Sequence, residues 1–148
     1  MNSTKGLALI LLVSLMACGK GGEHRAQEDS STESGPNQAL YDQVMDVHDE
    51  VMPRMGEINR LQRELKEKIA SSPDMIAERK AELEQVISNL DSASNAMMTW
   101  MHEFNPLPDS VDQEKAREYL ETEMERIRKV KTLMLESIEK AKEEGAKN

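Results

Sequence analysis

Hydrophobic residues recur with the period of an α-helix along three stretches of the chain, 38–71, 73–104 and 111–144. In the first two stretches the central apolar positions repeat every seven residues, and in the third they recur at helical spacing. We therefore predict an all-α protein built on three helices. The three stripes are Val44, Val51, Ile58 and Leu65; Ile76, Leu83, Leu90, Met97 and Phe104; and Leu120, Met124, Ile127, Val130, Met134, Ile138 and Ala141.

Two breaks separate the predicted helices. Ser72 is suited to cap the second helix, with Pro73 in its first position. Two prolines interrupt 105–109, and the run from Ser110 to Gln113 has the form of a capping box. Because short turns make long neighbouring helices antiparallel, we predict an elongated antiparallel three-helix bundle or coiled coil. The alternative is a hairpin of the first two helices, with the third helix pairing with another chain.

Two residues interrupt the first helical stripe. Pro53 and Gly56 both lower helix stability, by about 3 and about 1 kcal/mol in a helix interior. We predict a structural kink at these two residues. The alternative is that the first helix is two shorter helices, with Pro53 opening the second.

The N-terminus has the organisation of a signal peptide. Lys5 precedes an apolar run over 7–17, which is too short to cross a bilayer because a crossing needs roughly 20 residues. The run ends in Leu15-Met16-Ala17-Cys18, which resembles the bacterial lipobox. We predict a lipoprotein signal peptide over 1–17, a lipidated Cys18 with a flexible tether over 18–37, and the helical bundle over 38–148. The alternative is an ordinary secretory signal with an incidental cysteine.

The lipobox resemblance implies a location as well as a modification. In lipoproteins the cysteine thiol receives a diacylglycerol and the new amine is usually acylated, so fatty acids such as palmitate anchor the chain in a membrane. Gly19 stands where enteric lipoproteins of the inner membrane carry Asp, which favours the outer membrane. We predict a periplasm-facing protein of the bacterial cell envelope.

Charge and motifs exclude several function classes. The formal net charge of −9 disfavours nucleic acid as a partner, because phosphates would be repelled. The nucleotide-binding, zinc-protease and serine-hydrolase motifs are absent from the sequence. We predict that the protein is not an enzyme.

Soft side chains concentrate in one half of the predicted bundle. When the chain is folded about its two breaks, the Met and His residues of the first helix and those at the end of the second helix fall in the half where the tether enters. All four aromatic residues fall in the same half. Thioether sulfur and imidazole suit Cu(I) or Ag(I), so this half is a candidate soft-metal site. The alternatives are Met packing in a helical core, a groove for a partner helix, and haem ligation by a Met/His pair. The candidate residues are Met45, His48, Met52, Met98, Met101 and His102.

The stretches that contain these candidate residues also carry a family resemblance. The runs 41–58 and 97–104 resemble small helical lipoproteins of Bacteroidetes-type bacteria, some of which carry the name viral A-type inclusion protein. The likeness covers about 38–105 and implies a helical, lipid-anchored protein without implying an activity. We therefore expect an envelope module that binds the membrane through its anchor. It would act as a spacer or bind an envelope protein or a second copy, with soft-metal binding as the alternative function.

Overall fold

The computed structural model describes residues 35–108 and 110–147. This part of the chain is helical, with turns and no strand, so the predicted all-α fold is confirmed. A short 3₁₀ turn splits the first leg of a three-helix bundle into two helices. The elements are α1 (Gln38–Val51), the 3₁₀ turn (Met52–Arg54), α2 (Met55–Ala70), α3 (Ala77–Glu103) and α4 (Gln113–Ala146).

The first leg, α1 with α2, runs parallel to α4. At its start, the Asn37 side chain donates to the carbonyl of Gln113, at 2.9 Å. At its end, Lys68 Nζ donates to the carbonyl of Gly145, also at 2.9 Å. The two helical legs therefore begin together and end together, although they are separated in sequence by the whole of α3.

Helix α3 runs in the opposite direction. Arg79, near its start, pairs with Glu144 near the end of α4 at 2.6 Å, and Glu103, at its end, pairs with Arg126. The antiparallel three-helix bundle is thus confirmed. The alternative hairpin, which leaves the third helix for another chain, is wrong because α4 packs on both other legs.

The core follows the predicted stripes, with two exceptions. Each stripe position from Val44 to Ala141 is buried except Phe104, which is half-buried, and Ile76, which is 68% exposed. Ile76 is exposed because it lies in the turn before α3 rather than on the helix. Among the described residues, all the buried apolar side chains fall between Val44 and Ala141, so the helices of the bundle supply this core.

The starts of α3 and α4 differ from the predicted ones. Ser72 does not cap a helix: its carbonyl accepts from the Met75 N–H at 3.0 Å, which forms a turn and delays α3 until Ala77. Ser110 is not the cap of α4 either. The carboxylate of Asp112 caps α4 instead. It accepts hydrogen bonds from the backbone N–H groups of Glu114 and Lys115, at 3.0 and 3.2 Å.

The predicted irregularity of the first leg lies at Pro53. This residue lacks an N–H and stands at the beginning of the 3₁₀ turn, where the α-helical pattern is interrupted. The second helix of the leg begins at Met55, two residues later than the alternative expected. Gly56 lies in the first turn of α2, facing solvent, and a Cβ built on it would contact nothing within 4 Å.

The end of the bundle farthest from Gly35, here called the distal end, is closed by ionic contacts around Glu144. Its side chain is only 6% exposed and accepts from Arg79, Lys140 and Lys147 at 2.6 to 2.9 Å. Hydrogen bonds from Lys147, then Lys140 and Arg79, hold the pKa of this carboxyl well below its usual range. The cluster ties the beginning of α3 to the end of α4.

The predicted signal peptide, Cys18 and the tether as far as residue 34 lie outside the described residues. Within the described part, every helix is too short or too polar to span a bilayer.

Candidate functional site at the aromatic and methionine-rich end

All four aromatic rings meet at the end of the bundle where Gly35 enters, here called the entry end. The ring centroids of Trp100 and Phe104 lie 4.8 Å apart and nearly parallel. Phe104 also contacts Tyr41 of α1 at 6.0 Å and Tyr119 of α4 at 6.2 Å. The predicted gathering of aromatic residues from three distant stretches is therefore confirmed. Aromatic pairs of this geometry contribute about 0.5–1.5 kcal/mol beyond their buried area.

The register of α4 differs from the one expected from the sequence. A tight turn near position 107 would place Tyr119 opposite position 95. Instead, Tyr119 contacts Phe104 because α3 ends at Glu103 and α4 begins only at Gln113, which shifts α4 along α3. The backbone N–H of Asn105 donates to the Tyr119 hydroxyl at 2.7 Å, and burial raises the pKa of that hydroxyl above its usual value.

His48 connects the ring cluster to α1. Its imidazole stacks on Trp100 with centroids 5.6 Å apart, and its side chain is 13% exposed. The Nδ1 atom lies 2.8 Å from a carboxylate oxygen of the exposed Asp49. This contact fixes the orientation of the ring and leaves Nε2 as the nitrogen that a ligand would meet.

The candidate Met residues divide into two environments. Met45 of α1 and Met52 of the 3₁₀ turn are half-buried and pack against the core. Met98 and Met101 of α3 are exposed by 50% and 39%. They are exposed because the core side of α3 is occupied by its buried stripe, which leaves these two on its flank.

The structure brings the two Met groups to the same end, but it does not bring all the candidates into contact. The stacking of His48 on Trp100 places position 48 of α1 beside position 100 of α3. His102 is exposed and contacts no other ring among the described residues. In the same part of the chain, no three His, Cys, Asp or Glu side chains converge as a metal site, so a soft metal would depend on the thioethers and His48.

Two buried polar groups in the described chain were not predicted from the sequence. Trp100 Nε1 and one carboxylate oxygen of Glu123 are buried without a hydrogen-bond partner in the described part of the chain. The other oxygen of Glu123 accepts from Arg126 at 2.8 Å. The helical spacing of Glu123 from Leu120 and Ile127, both on the apolar stripe, is the sequence signal for its burial.

A cavity of about 250 Å³ opens next to the rings, at the point where the chain enters the bundle. Its walls come from the start of α1, the connection between α3 and α4, and the start of α4. Leu107, which lines it, is 37% exposed. With Met98 and Met101, this residue gives the entry end three of the exposed large apolar side chains of the described chain.

No family model, curated protein or solved structure matches this chain. The resemblance to Bacteroidetes lipoproteins therefore stays a prediction, and the geometry of the entry end carries the functional argument.

Proposed function

We propose that the chain is a lipid-anchored, periplasm-facing helical module of the bacterial cell envelope that binds another envelope component or acts as a spacer. The anchor rests on the lipobox-type sequence ending in Cys18. The binding role rests on the entry end, where exposed apolar side chains occur at the same end of the bundle as the cluster of stacked rings. An exposed apolar cluster on a soluble helical bundle is typical of an interaction surface.

The observation that carries the proposal is the position of Met98, Met101 and Leu107. Singly exposed apolar residues are ordinary, but these three lie within one short stretch of the chain at the same end of the molecule. In the same stretch, Trp100 and Phe104 stack with ring centroids 4.8 Å apart, which makes this end of the bundle rigid. Rigid aromatic support lowers the entropy lost when a partner binds.

The anchor is tested by mass spectrometry of protein purified from its native membrane. We expect an N-terminal peptide beginning at Cys18 with a diacylglyceryl group and an amide-linked fatty acid. The Cys18→Ser variant should lose the modification and leave the membrane fraction. An intact Met1 N-terminus or an unmodified Cys18 in the native protein would refute the anchor.

The binding surface is tested by site-specific photo-crosslinking in intact cells. A photoreactive phenylalanine analogue replaces Met98 or Leu107 at the entry end, and Ile76 serves as the matched control. Ile76 is apolar and 68% exposed but lies in the turn before α3, at the distal end. We expect one adduct of defined mass from the entry-end positions and none from the control. Equal labelling at all three positions would contradict a specific surface there.

Soft-metal binding is a second candidate function, favoured by the contact of His48 with Trp100. That contact brings the thioethers of α1 and α3 to one end, and thioether sulfur is a ligand for Cu(I) or Ag(I). Titration with Cu(I) should then raise the melting temperature, and replacing Met45 and Met52 by Leu should remove the increase. No change in melting temperature, with no competition against a Cu(I) chelator, would eliminate this function.

A further inference from the structure

The outer face of α4 carries a shallow depression around Leu133. This residue is 37% exposed, whereas Met134 beside it is fully buried. The depression lies on the side of α4 opposite the core, and only α4 lines it. Its lining residues are Glu125, Arg128, Lys129, Thr132, Leu133 and Glu136.

Three charged residues around Leu133 form no ion pair within the described part of the chain. Glu125, Lys129 and Glu136 are exposed, and none forms an ion pair with any described residue. By contrast, the nearby Lys131 of the same helix forms an ion pair with Glu50 of α1 at 2.5 Å. The unpaired charges therefore lie on the one face of α4 that no other helix covers.

The charge pattern of this face is self-complementary for an antiparallel copy. A two-fold axis between Thr132 and Leu133 places Lys129 opposite Glu136 of the second copy, and Glu125 opposite Lys140. Symmetry doubles each pair, so four attractive contacts flank a central contact between Leu133 and Thr132 of the second copy. A parallel, in-register pairing would instead place each of these charges opposite itself, which is repulsive.

We propose that the protein self-associates as an antiparallel dimer through the outer face of α4. The surface differs from the entry end, so the dimer requires neither the lipid anchor nor a second envelope protein. Lys140 pairs with Glu144 at 2.9 Å within the chain and has further donors for a contact across the dimer. Because the pairs are solvent-exposed, the association is weak and sensitive to salt.

The test uses the segment 35–148, which contains every buried apolar residue of the described chain and no cysteine. Sedimentation equilibrium at low ionic strength should show a monomer–dimer equilibrium that weakens as salt is added. Lys129→Glu and Glu136→Lys should each weaken association about tenfold, because each turns two attractive pairs into repulsive ones. An equimolar mixture of the two variants should restore it, since the mixed dimer pairs opposite charges at both positions.

The matched controls are Lys66→Glu and Glu67→Lys on α2. Both residues are exposed and form no ion pair with a described residue, so their reversal changes net charge without touching α4. We expect them to leave the association constant unchanged. A segment that stays monomeric at low salt, or a mixture of the α4 variants that fails to restore association, would overturn the proposal. So would binding that depends equally on α2 and α4, because net charge alone would then explain it.

Discussion

The hydroxyl of Tyr119 holds the connection between α3 and α4 against the ring cluster. It accepts a hydrogen bond from the backbone N–H of Asn105 at 2.7 Å, while the ring of the same residue contacts Phe104. Tyr119→Phe removes the acceptor and keeps the ring. A hydrogen bond of this type contributes about 0.5–1.5 kcal/mol net to stability. Because Asn105 is exposed, water replaces part of the loss, so we expect a destabilisation of about 0.5–1 kcal/mol.

The matched control for this variant is Tyr41→Phe. The Tyr41 ring also contacts Phe104, at 6.0 Å, but its hydroxyl makes no hydrogen bond within the described part of the chain. Urea denaturation should therefore show a smaller change for Tyr41→Phe than for Tyr119→Phe. The two variants share the loss of one hydroxyl next to the same ring, so their difference isolates the hydrogen bond.

Amide hydrogen exchange gives a local readout of the same contact. A loss of about 1 kcal/mol corresponds to about fivefold faster exchange, so the amide of Asn105 should exchange faster in Tyr119→Phe and be unchanged in Tyr41→Phe. Equal stability and equal exchange in the two variants would refute the argument that Tyr119 fixes the connection.

Three further changes test other parts of the structure. Met97→Ala should lower the free energy of unfolding by about 2–5 kcal/mol in urea denaturation, because Met97 is fully buried. Met98→Ala should lower it by less than about 0.5 kcal/mol, because Met98 is 50% exposed. Similar losses for the two variants would contradict the register of α3. Gly56→Ala should stabilise by about 1 kcal/mol, because its Cβ meets nothing within 4 Å in a helix, and a lower denaturation midpoint would contradict this. The depressed pKa of Glu144 predicts stability that is present above about pH 4.5 and lost as the pH falls, because the unfolded state binds the proton first. Glu144→Gln should melt at a temperature that varies less with pH in this range, and identical profiles for the variant and the parent protein would argue against it.

The architecture was accessible from the sequence because its determinants are local. The seven-residue spacing places Val44, Val51 and Ile58 on one face, and the structure buries all three. The interruption at Pro53 follows from the missing N–H of that residue and does not depend on its surroundings. The gathering of the aromatic rings followed from the number of helices and their antiparallel order.

The details of the candidate site depended on packing. Trp100 stacks between His48 and Phe104, and this order depends on how far α1 and α3 are shifted along each other. Glu123 is buried with one oxygen unpaired, although Glu is ordinarily exposed, because its position on α4 faces the core.

The sequence by itself determined that this chain forms three amphipathic legs, with an interruption at Pro53. Tertiary structure alone decided the contact of Tyr119 with Phe104 and the ionic closure of the distal end by Glu144. The physical reason is the range of the forces. Helical periodicity is set by hydrogen bonds within a few residues, whereas the register of the helices and the buried ion pairs depend on groups that approach only when the helices pack.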